Sequence, residues 1–335
     1  MANSGRGTAR KYRVVAAGVL SLSLALAATA CGGADSKASS TAKKSYKLAF
    51  VQGVAGDSFY VTMGCGVQSE AKAAGATVNI QGPQKFDPTL QTPMLQSVIA
   101  SKPDAILIAP TDISSMQQPI AQAKAQGIKI VLVDTTLKDP SVAVSAISSD
   151  NSGGGAAAFD AIKKLAPSGG KVLVVGNTPG ISTTDARDKG FVDATKADSA
   201  YTSLGIQYAQ NDPAKAASIV SAALSKNPDI VGVFASNLFA AEGAATGVRQ
   251  AGKQGKVKVI GFDAGPDQVK ALKDGTVQAL IAQQPEQIGV DGVKQAVLAL
   301  KGGKTTAEIK TKFSIITKDT VDSADGKAAA YRSSC

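Results

Sequence analysis

The sequence predicts an α/β protein of two Rossmann-like lobes, each built on a doubly wound parallel sheet. From residue 44 onward, short apolar runs rich in β-branched residues alternate with longer amphipathic stretches. This alternation is typical of parallel strands that are connected by helices. Several runs, such as 131–133 and 172–175, are continuously hydrophobic, as expected for strands that are buried on both faces.

The predicted elements divide into two halves. The chain has 335 residues, of which 44% are hydrophobic, and this is enough for the cores of two domains. Two halves of about 100–150 residues fit better than one sheet, with the boundary near 146–151 and a new helix opening at Gly153, Gly154 and Gly155. We predict strands at 46–53, 77–81, 105–109, 129–134, 171–176, 205–208, 230–235, 257–262 and 277–282, and helices at 59–74, 91–101, 116–126, 156–165, 184–196, 213–226, 240–251 and 266–274.

Residues 1–30 have the pattern of an export signal. A basic start that includes Arg6, Arg10 and Arg13 is followed by the apolar run 14–30 and by small residues, which is the order of a cleavable signal peptide. The apolar run is shorter than the roughly 20 residues that span a bilayer. A retained anchor helix is the alternative.

Cys31 is the predicted lipidation site. The small residues before Cys31 and the two glycines after it resemble a bacterial lipobox, in which the cysteine is acylated and becomes the new N-terminus. Ala28 stands where that pattern prefers leucine, and cleavage by an ordinary signal peptidase would leave Cys31 first without lipid. Two acyl chains would anchor the protein stably to the outer face of the cytoplasmic membrane. Residues 31–45 are small, polar and lysine-bearing, which is typical of a flexible tether.

Composition excludes several classes of function. The chain contains no His and no Trp, which removes Ser-His-Asp and Cys-His catalysis and all imidazole metal sites. Its net charge of +10 includes four positive charges within residues 1–30, and the other charges are scattered, so we expect no nucleic-acid partner. An enzyme on a nucleotide-binding sheet would use the glycines at 53–56 or 153–155. Neither forms G-x-G-x-x-G, and no phosphate-binding G-x-x-x-x-G-K-[ST] is present. We expect no cofactor and no metal.

Two cysteines remain after Cys31. Export would permit a disulfide, and the even count predicts that Cys335, at the end of the sequence, pairs with Cys65 in the first predicted helix of the body. Two unpaired thiols are the alternative, because pairing requires Cα atoms about 4.4–6.8 Å apart.

Polar and aromatic residues follow the predicted strands in both halves. In doubly wound sheets, ligands bind beyond the carboxyl ends of the strands. Planar side chains that donate and accept hydrogen bonds suit vicinal hydroxyls, and aromatic faces suit the CH face of a sugar ring. Each residue also has a structural alternative: a helix cap for Asp or Asn, core packing for Phe59 and Tyr60, and a solvated helical position for Arg187. The candidates are Asp57, Phe59, Tyr60, Asp134, Arg187, Asn237, Asp263 and Gln283.

At these residues the chain resembles the periplasmic sugar-binding family that includes ribose-binding protein, and it is similar to the ligand-binding cores of LacI-type repressors. The resemblance covers nearly all of 46–318 and rests on LAFVQGVAGDSFY, ILIAPTD, KIVLVDT, ISSDN, DARDKGF, NPDIVGVFASN, VIGFDAGPD and IAQQPEQIG. It implies a clamshell with three hinge crossings, near Ser149-Asp150, near Gln283-Gln284 and near Lys312. The first lobe would comprise 46–149 and 284–312, the second 150–283 and 313–324, and 325–335 would form a tail.

The resemblance also implies how the ligand is held. Contacts would come from Asp57, Phe59, Tyr60 and Asp134 of the first lobe and from Arg187, Asn237 and Asp263 of the second, with Gln283 at a hinge. Thr135 and Asn211 complete the predicted ligand-binding residues, although ribose binders have Arg where this chain has Thr135 and an aromatic residue near the position of Asn211. Three carboxylates against one cation disfavour an acidic sugar or a phosphate, and leave a neutral polyol or a cationic amino sugar.

The resemblance implies a monomeric substrate-binding lipoprotein of an ABC-type sugar importer, with no enzymatic activity. Its partners would be a small sugar or polyol, the ABC permease and, through the lipid, the membrane. A sensor that presents the same ligand to a membrane receptor is the alternative, and the sequence does not separate the two.

Overall fold

The computed structural model describes residues 45–335. The predicted signal peptide, Cys31 and the tether up to Lys44 lie outside the described residues. Among the helices of 45–335, none combines the length and the apolar character that crossing a membrane requires.

The described chain alternates strands and helices almost throughout. The strands are β1 Lys47–Val51, β2 Thr77–Gln81, β3 Ala105–Ile108, β4 Lys129–Val133, β5 Ser145–Ser149, β6 Gly170–Gly176, β7 Tyr201–Tyr208, β8 Ile230–Ala235, β9 Lys258–Phe262, β10 Ala279–Ala282, β11 Glu308–Thr311 and β12 Ser314–Thr317. The helices are α1 Ser58–Ala73, α2 Pro88–Ala100, α3 Gln117–Ala125, α4 Asn151–Leu165, α5 Ser182–Lys196, α6 Pro213–Lys226, α7 Leu238–Gln250, α8 Pro266–Lys273, α9 Pro285–Leu300 and α10 Ala324–Ala329.

The strands form two six-stranded sheets with matching order. The first sheet, β2-β1-β3-β4-β5-β11, is parallel throughout. The second, β7-β6-β8-β9-β10-β12, is parallel except that β12 runs antiparallel to β10. We call the part of the chain built on the first sheet the first lobe and the part built on the second sheet the second lobe. The predicted fold class, two α/β lobes with mostly parallel sheets, is confirmed.

The strand order fixes where a ligand can bind. In each sheet the second strand of the lobe pairs with one side of the first strand, β1 or β6, and the third strand pairs with its other side. A crevice opens beyond the carboxyl ends of the strands at such a switch point. Each lobe therefore has an equivalent crevice at its own switch point.

From β1 to β12, the chain passes from one sheet to the other three times. It leaves the first sheet after Ser149 and the second after Ala282, and it crosses again between Thr311 and Ser314. Helix α9 lies after the second crossing and packs against α1 and β4 of the first lobe.

Three strands, β5, β11 and β12, are absent from the predicted set. Strand β5 reads SAISS and β11 reads EIKT, so neither shows an apolar run. Strand β12 starts only two residues after β11 and enters the second lobe from the hinge side. It therefore runs opposite to β10, since a parallel pairing needs a long crossover.

Of the glycines at 153–155, Gly155 serves helix packing in the structure. All three lie inside α4, and Gly155 packs directly on the backbone oxygen of Arg187 in α5. In return Gly190 of α5 packs on the backbone oxygen of Ser152. A β-carbon at either glycine would collide with the opposite helix, so the two helices approach closely only because both side chains are absent.

The predicted disulfide is present in the structure. Cys65 of α1 is bonded to Cys335, which lies 270 positions further along the chain, and their Cα atoms are 5.4 Å apart. The bond fastens the C-terminal segment to the first lobe.

Candidate functional site

A small cavity lies between the lobes at the carboxyl ends of their strands. Every predicted site residue except Thr135 lines it. The space inside this cavity amounts to about 410 Å³, including its opening to solvent. The additional lining residues are Phe86, Asn177, Ile181, Thr183, Thr184 and Leu238.

The lobes also touch across the mouth of the cleft. The backbone N–H of Ile113, in the first lobe, donates to the carbonyl oxygen of Gly180 in the second, at 3.0 Å. The N–H of Thr136 donates to Ser182 Oγ across the same gap, at 2.9 Å. The clamshell is therefore closed over the cavity.

Asp134 and Asp263 occupy equivalent positions in the two lobes. Asp134 follows β4 with φ 63°, and Asp263 follows β9 with φ 79°. Their N–H groups donate to Ile147 and Ile281, in the neighbouring strands, at 2.8 and 2.9 Å. Left-handed backbone at a residue other than glycine costs energy and clusters at functional sites. The repetition of this conformation in both lobes points to a function for the two carboxylates.

A tyrosine hydroxyl binds each of these carboxylates. Tyr60 donates to Asp134 Oδ2 at 2.7 Å, and Tyr331 donates to Asp263 Oδ1 at 3.0 Å. Gln283 Nε2 also donates to Asp263 Oδ1, at 2.6 Å. Asp263 is thus held by two donors, which fix the direction of its remaining acceptor sites.

Asp57 and Phe59 combine structural roles with a place in the cavity lining. Asp57 caps α1, because its Oδ1 accepts from the Phe59 N–H at 2.8 Å. The Phe59 ring packs edge-on against Tyr60 at 5.1 Å between centroids and lies 5.8 Å from Tyr331. Asp57 thus has the helix-capping role, and Phe59 the packing role, that were given as structural alternatives. Both residues also line the cavity.

Arg187 is a buried and fixed cation. Its Nε donates to Asn151 Oδ1 at 2.8 Å and its Nη1 to the Ser236 carbonyl at 2.9 Å. The guanidinium also lies 3.8 Å from the centroid of the Phe262 ring, which adds a cation–π attraction. The side chain is therefore held rigidly with one edge toward the cavity, and it is not a solvated helical arginine.

The second-lobe face of the cavity is polar near Asn211. Asn237 caps α7 by accepting from the Ala240 N–H at 3.1 Å, and its amide donates to Asn211 Oδ1. Asn177 donates to the same oxygen at 3.4 Å. This cluster stands where the resemblance places an aromatic ring, so this face offers amide groups to a ligand.

Thr135 is the predicted site residue that the structure places elsewhere. Its Oγ1 donates to the Pro110 carbonyl at 2.7 Å, and it lines a separate surface depression beside β5 and β11. The left-handed turn at Asp134 sends consecutive side chains in different directions. Thr135 is therefore removed from the candidate site.

The sequence matches the model of the periplasmic binding protein domain over residues 48–305. The chain belongs to the periplasmic binding protein family. The ribose import binding protein of Escherichia coli is 33% identical over 81% of this chain and 90% of that protein. The D-allose-binding periplasmic protein of the same species is 33% identical over 73% of this chain and 82% of that protein. The resemblance inferred from the sequence is thereby confirmed.

Solved structures agree with this assignment. An ABC transporter solute binding protein from Agrobacterium vitis, bound with α-D-tagatopyranose, is 40% identical with a TM-score of 0.84, covering 86% of this chain and 99% of its own. A second from Agrobacterium vitis, with bound D-fucose, is 29% identical with a TM-score of 0.81, covering 85% of this chain and 100% of its own. These relatives are binding proteins of transporters.

The carboxylates of this periplasmic binding protein are less charged than their number suggests. Burial and the nearby charge of Asp263 together raise the pKa of Asp57 to about 7, although its side chain is half-buried and not fully buried. Burial also raises the pKa of Asp134 to about 6, while Arg187 and the Tyr60 hydroxyl act in the opposite direction. Near neutral pH the net charge of the site is therefore closer to zero than three carboxylates and one cation imply.

Within residues 45–335, no group of three His, Cys, Asp or Glu side chains is arranged to hold a metal ion.

The raised pKa of Asp57 predicts a pH dependence of stability. Such a carboxyl stabilises the fold fully only below its usual pKa of 3.8, and the contribution is lost as the pH rises through about 7. We expect the free energy of unfolding of Asp57→Asn, relative to the parent, to increase by about 2–3 kcal/mol from pH 5 to pH 8. About two pH units of this range lie below the raised pKa of about 7, and one unit is about 1.4 kcal/mol. Urea unfolding of both proteins without ligand at each pH measures this difference.

Asp87→Asn is the matched control for this measurement. Asp87 caps α2 as Asp57 caps α1, and both side chains are half-buried, but burial is not the main influence on the pKa of Asp87. Hydrogen bonds from the Thr89 hydroxyl and N–H hold the pKa of Asp87 below its usual value, so this variant gains no stability as the pH rises. A difference between parent and Asp57→Asn that stays constant from pH 5 to pH 8 would contradict burial as the cause.

Proposed function

We propose that this chain is the extracytoplasmic substrate-binding lipoprotein of an ABC-type sugar importer, and that it captures one monosaccharide or polyol between its lobes. The observation that carries the proposal is the pair Asp134 and Asp263. Each lobe presents one buried, tyrosine-bound carboxylate to the same cavity from the same strand-end position.

The chemistry of the cavity fits a small molecule with several hydroxyl groups. Carboxylates accept hydrogen bonds from hydroxyls, and the free edge of Arg187 and the amides of Asn177 and Asn237 can donate to hydroxyl oxygens. Phe59 supplies an apolar face for ring CH groups. The raised pKa values of Asp57 and Asp134 favour a neutral sugar over a cationic amino sugar.

Capture couples binding to closure of the lobes. The ligand must bind the closed form more tightly than the open form, because only this difference shifts the equilibrium between them. Contacts from both lobes supply the difference, and the segments between the sheets absorb the movement. The permease would then recognise the closed pair of lobe surfaces.

The membrane attachment is part of the same proposal. The sequence around Cys31 supports acylation after export, and the segment 31–45 supports a tether that keeps a monomeric body near the permease on the outer face of the membrane. Mass spectrometry of the protein from its own membrane checks this directly, as a diacylglyceryl adduct on Cys31.

A thermal-shift panel tests the proposed ligand class. D-tagatose comes first, because the Agrobacterium vitis relative at 40% identity carries α-D-tagatopyranose; D-ribose, D-allose, D-arabinose and D-fucose follow. We expect at least one neutral monosaccharide to stabilise the protein by about 2.7 kcal/mol at 100 times its dissociation constant.

Two compounds serve as negative controls in the panel. D-ribose 5-phosphate should give no stabilisation, because Asp57, Asp134 and Asp263 face the cavity with Arg187 as the cation among its lining residues. Maltose should also fail, because the closed cavity has no room for a second ring. A larger shift with the phosphate than with every neutral sugar would overturn the proposed ligand class.

A further inference from the structure

The C-terminal segment begins on the second lobe. After β12, Asp322 pairs with Lys273 of α8 at 2.7 Å, and α10 packs against β12. At the end of this stretch the Tyr331 N–H donates to the Ala264 carbonyl, in the loop after β9, at 2.9 Å. The backbone up to Tyr331 thus belongs to the second lobe.

The four residues after Tyr331 belong to the first lobe. The Arg332 N–H donates to Thr62 Oγ1 of α1 at 2.7 Å, and the Arg332 guanidinium pairs with Glu286 of α9 at 2.7 Å. Cys335 is bonded to Cys65 of α1. The backbone therefore changes lobes between Tyr331 and Arg332, in addition to the three passages between the sheets.

Tyr331, at this additional change of lobe, extends its side chain to the candidate ligand site. It is 6% exposed; its hydroxyl donates to Asp263 Oδ1 at 3.0 Å and accepts from the Gln283 N–H at 2.9 Å. The contact repeats the bond between Tyr60 and Asp134 in the first lobe. The family match ends at residue 305, so the second lobe takes its tyrosine from beyond the matched region.

We propose that residues 318–335 form a fourth connection between the lobes, in which Tyr331 positions the Asp263 carboxylate for the ligand and the Cys65–Cys335 disulfide fastens the connection to the first lobe. The role of Tyr331 rests on the sugar-binding function proposed above. The connection also limits how far the lobes separate when the site is empty, because its two ends are attached to different lobes.

Tyr331→Phe tests the positioning role. This variant keeps the ring against Phe59 and the disulfide, and removes only the hydroxyl. We expect about tenfold weaker binding, by calorimetry, of the sugar that best stabilises the parent, since a hydrogen bond to a charged group is at stake. The melting temperature without sugar should fall by a few degrees, because the buried Gln283 N–H loses its acceptor, while the fold and the disulfide remain. Tyr208→Phe, the same change at an exposed tyrosine of the second lobe, should bind like the parent.

A variant with Cys65→Ser and Cys335→Ser tests the connection. We expect the sugar-free protein to have a larger radius of gyration by small-angle X-ray scattering than the parent, and to bind sugar more weakly. Adding Tyr331→Phe to this variant should weaken binding by less than it does in the parent, because a released segment no longer places the hydroxyl. Ser334→Ala is the control in the same segment.

The outcomes separate this proposal from the proposed function. If the parent binds sugar and both variants bind it equally well, the role of the segment is overturned and the function stands. If the parent binds no sugar, the function and the role of Tyr331 fall together, while an unchanged radius of gyration in the serine variant alone overturns the fourth connection.

Discussion

Asp263→Ala is expected to abolish the stabilisation that sugar gives the parent protein. The carboxylate is buried, lines the cavity and is already oriented by Gln283 and Tyr331, so its remaining acceptor sites are available to a ligand in the cavity. Two hydrogen bonds to a charged acceptor are worth about 3–6 kcal/mol together. Binding should therefore weaken by at least about 100-fold. Melting curves with and without sugar, and calorimetry, measure the loss.

Two further variants make this result specific. Alanine at φ 79° costs stability of its own, whereas asparagine tolerates this conformation, so Asp263→Asn separates loss of the charged acceptor from backbone strain. Asp139→Asn replaces an exposed helix-capping aspartate outside the cavity and should leave binding unchanged. Parent-like stabilisation by sugar in both Asp263 variants would remove Asp263 from the site.

Gly155→Ala is expected to damage stability and binding together. A β-carbon at Gly155 collides with the backbone oxygen of Arg187, so α4 and α5 must move apart. Overpacking of this kind costs about 1–3 kcal/mol. The same movement displaces Arg187 from Asn151 and Ser236, so sugar affinity should fall as well. Urea unfolding and calorimetry measure the two effects.

Gly64→Ala is the matched control. Gly64 also lies inside a helix, α1, but the nearest atom to an added β-carbon is 3.5 Å away, which is ordinary contact. Removing a glycine from a helix interior then stabilises by about 0.5–1 kcal/mol. If Gly155→Ala behaved like Gly64→Ala, the close approach of α4 and α5 would not be what holds Arg187 in place.

Much of the site could be predicted because strand ends are visible in the sequence. The apolar runs that end at Val133 and Phe262 identify Asp134 and Asp263 as the first residues after a strand. Parallel topology brings such strand ends to one edge of each sheet. Thr135 shows the limit of this reasoning. Adjacency in sequence does not fix the direction of a side chain when the backbone turns into the left-handed region.

Two features could not be predicted from the sequence. Tyr331 follows no strand, and it reaches Asp263 only through the path of the C-terminal segment and its disulfide. The charge of the site also depends on burial. The sequence shows three carboxylates and one arginine, but only the packed structure shows that burial raises the pKa of Asp57 and Asp134.

The disulfide has a consequence for the order of events in folding. The bond can close only after Cys335, 270 positions beyond Cys65, has been synthesised and has reached the first lobe. If Cys31 is acylated as proposed, Cys65 and Cys335 are the two remaining thiols of the sequence, and no other intramolecular pairing competes. Formation of the bond then reports when the C-terminal segment reaches the first lobe, and a non-reducing gel can follow it over time.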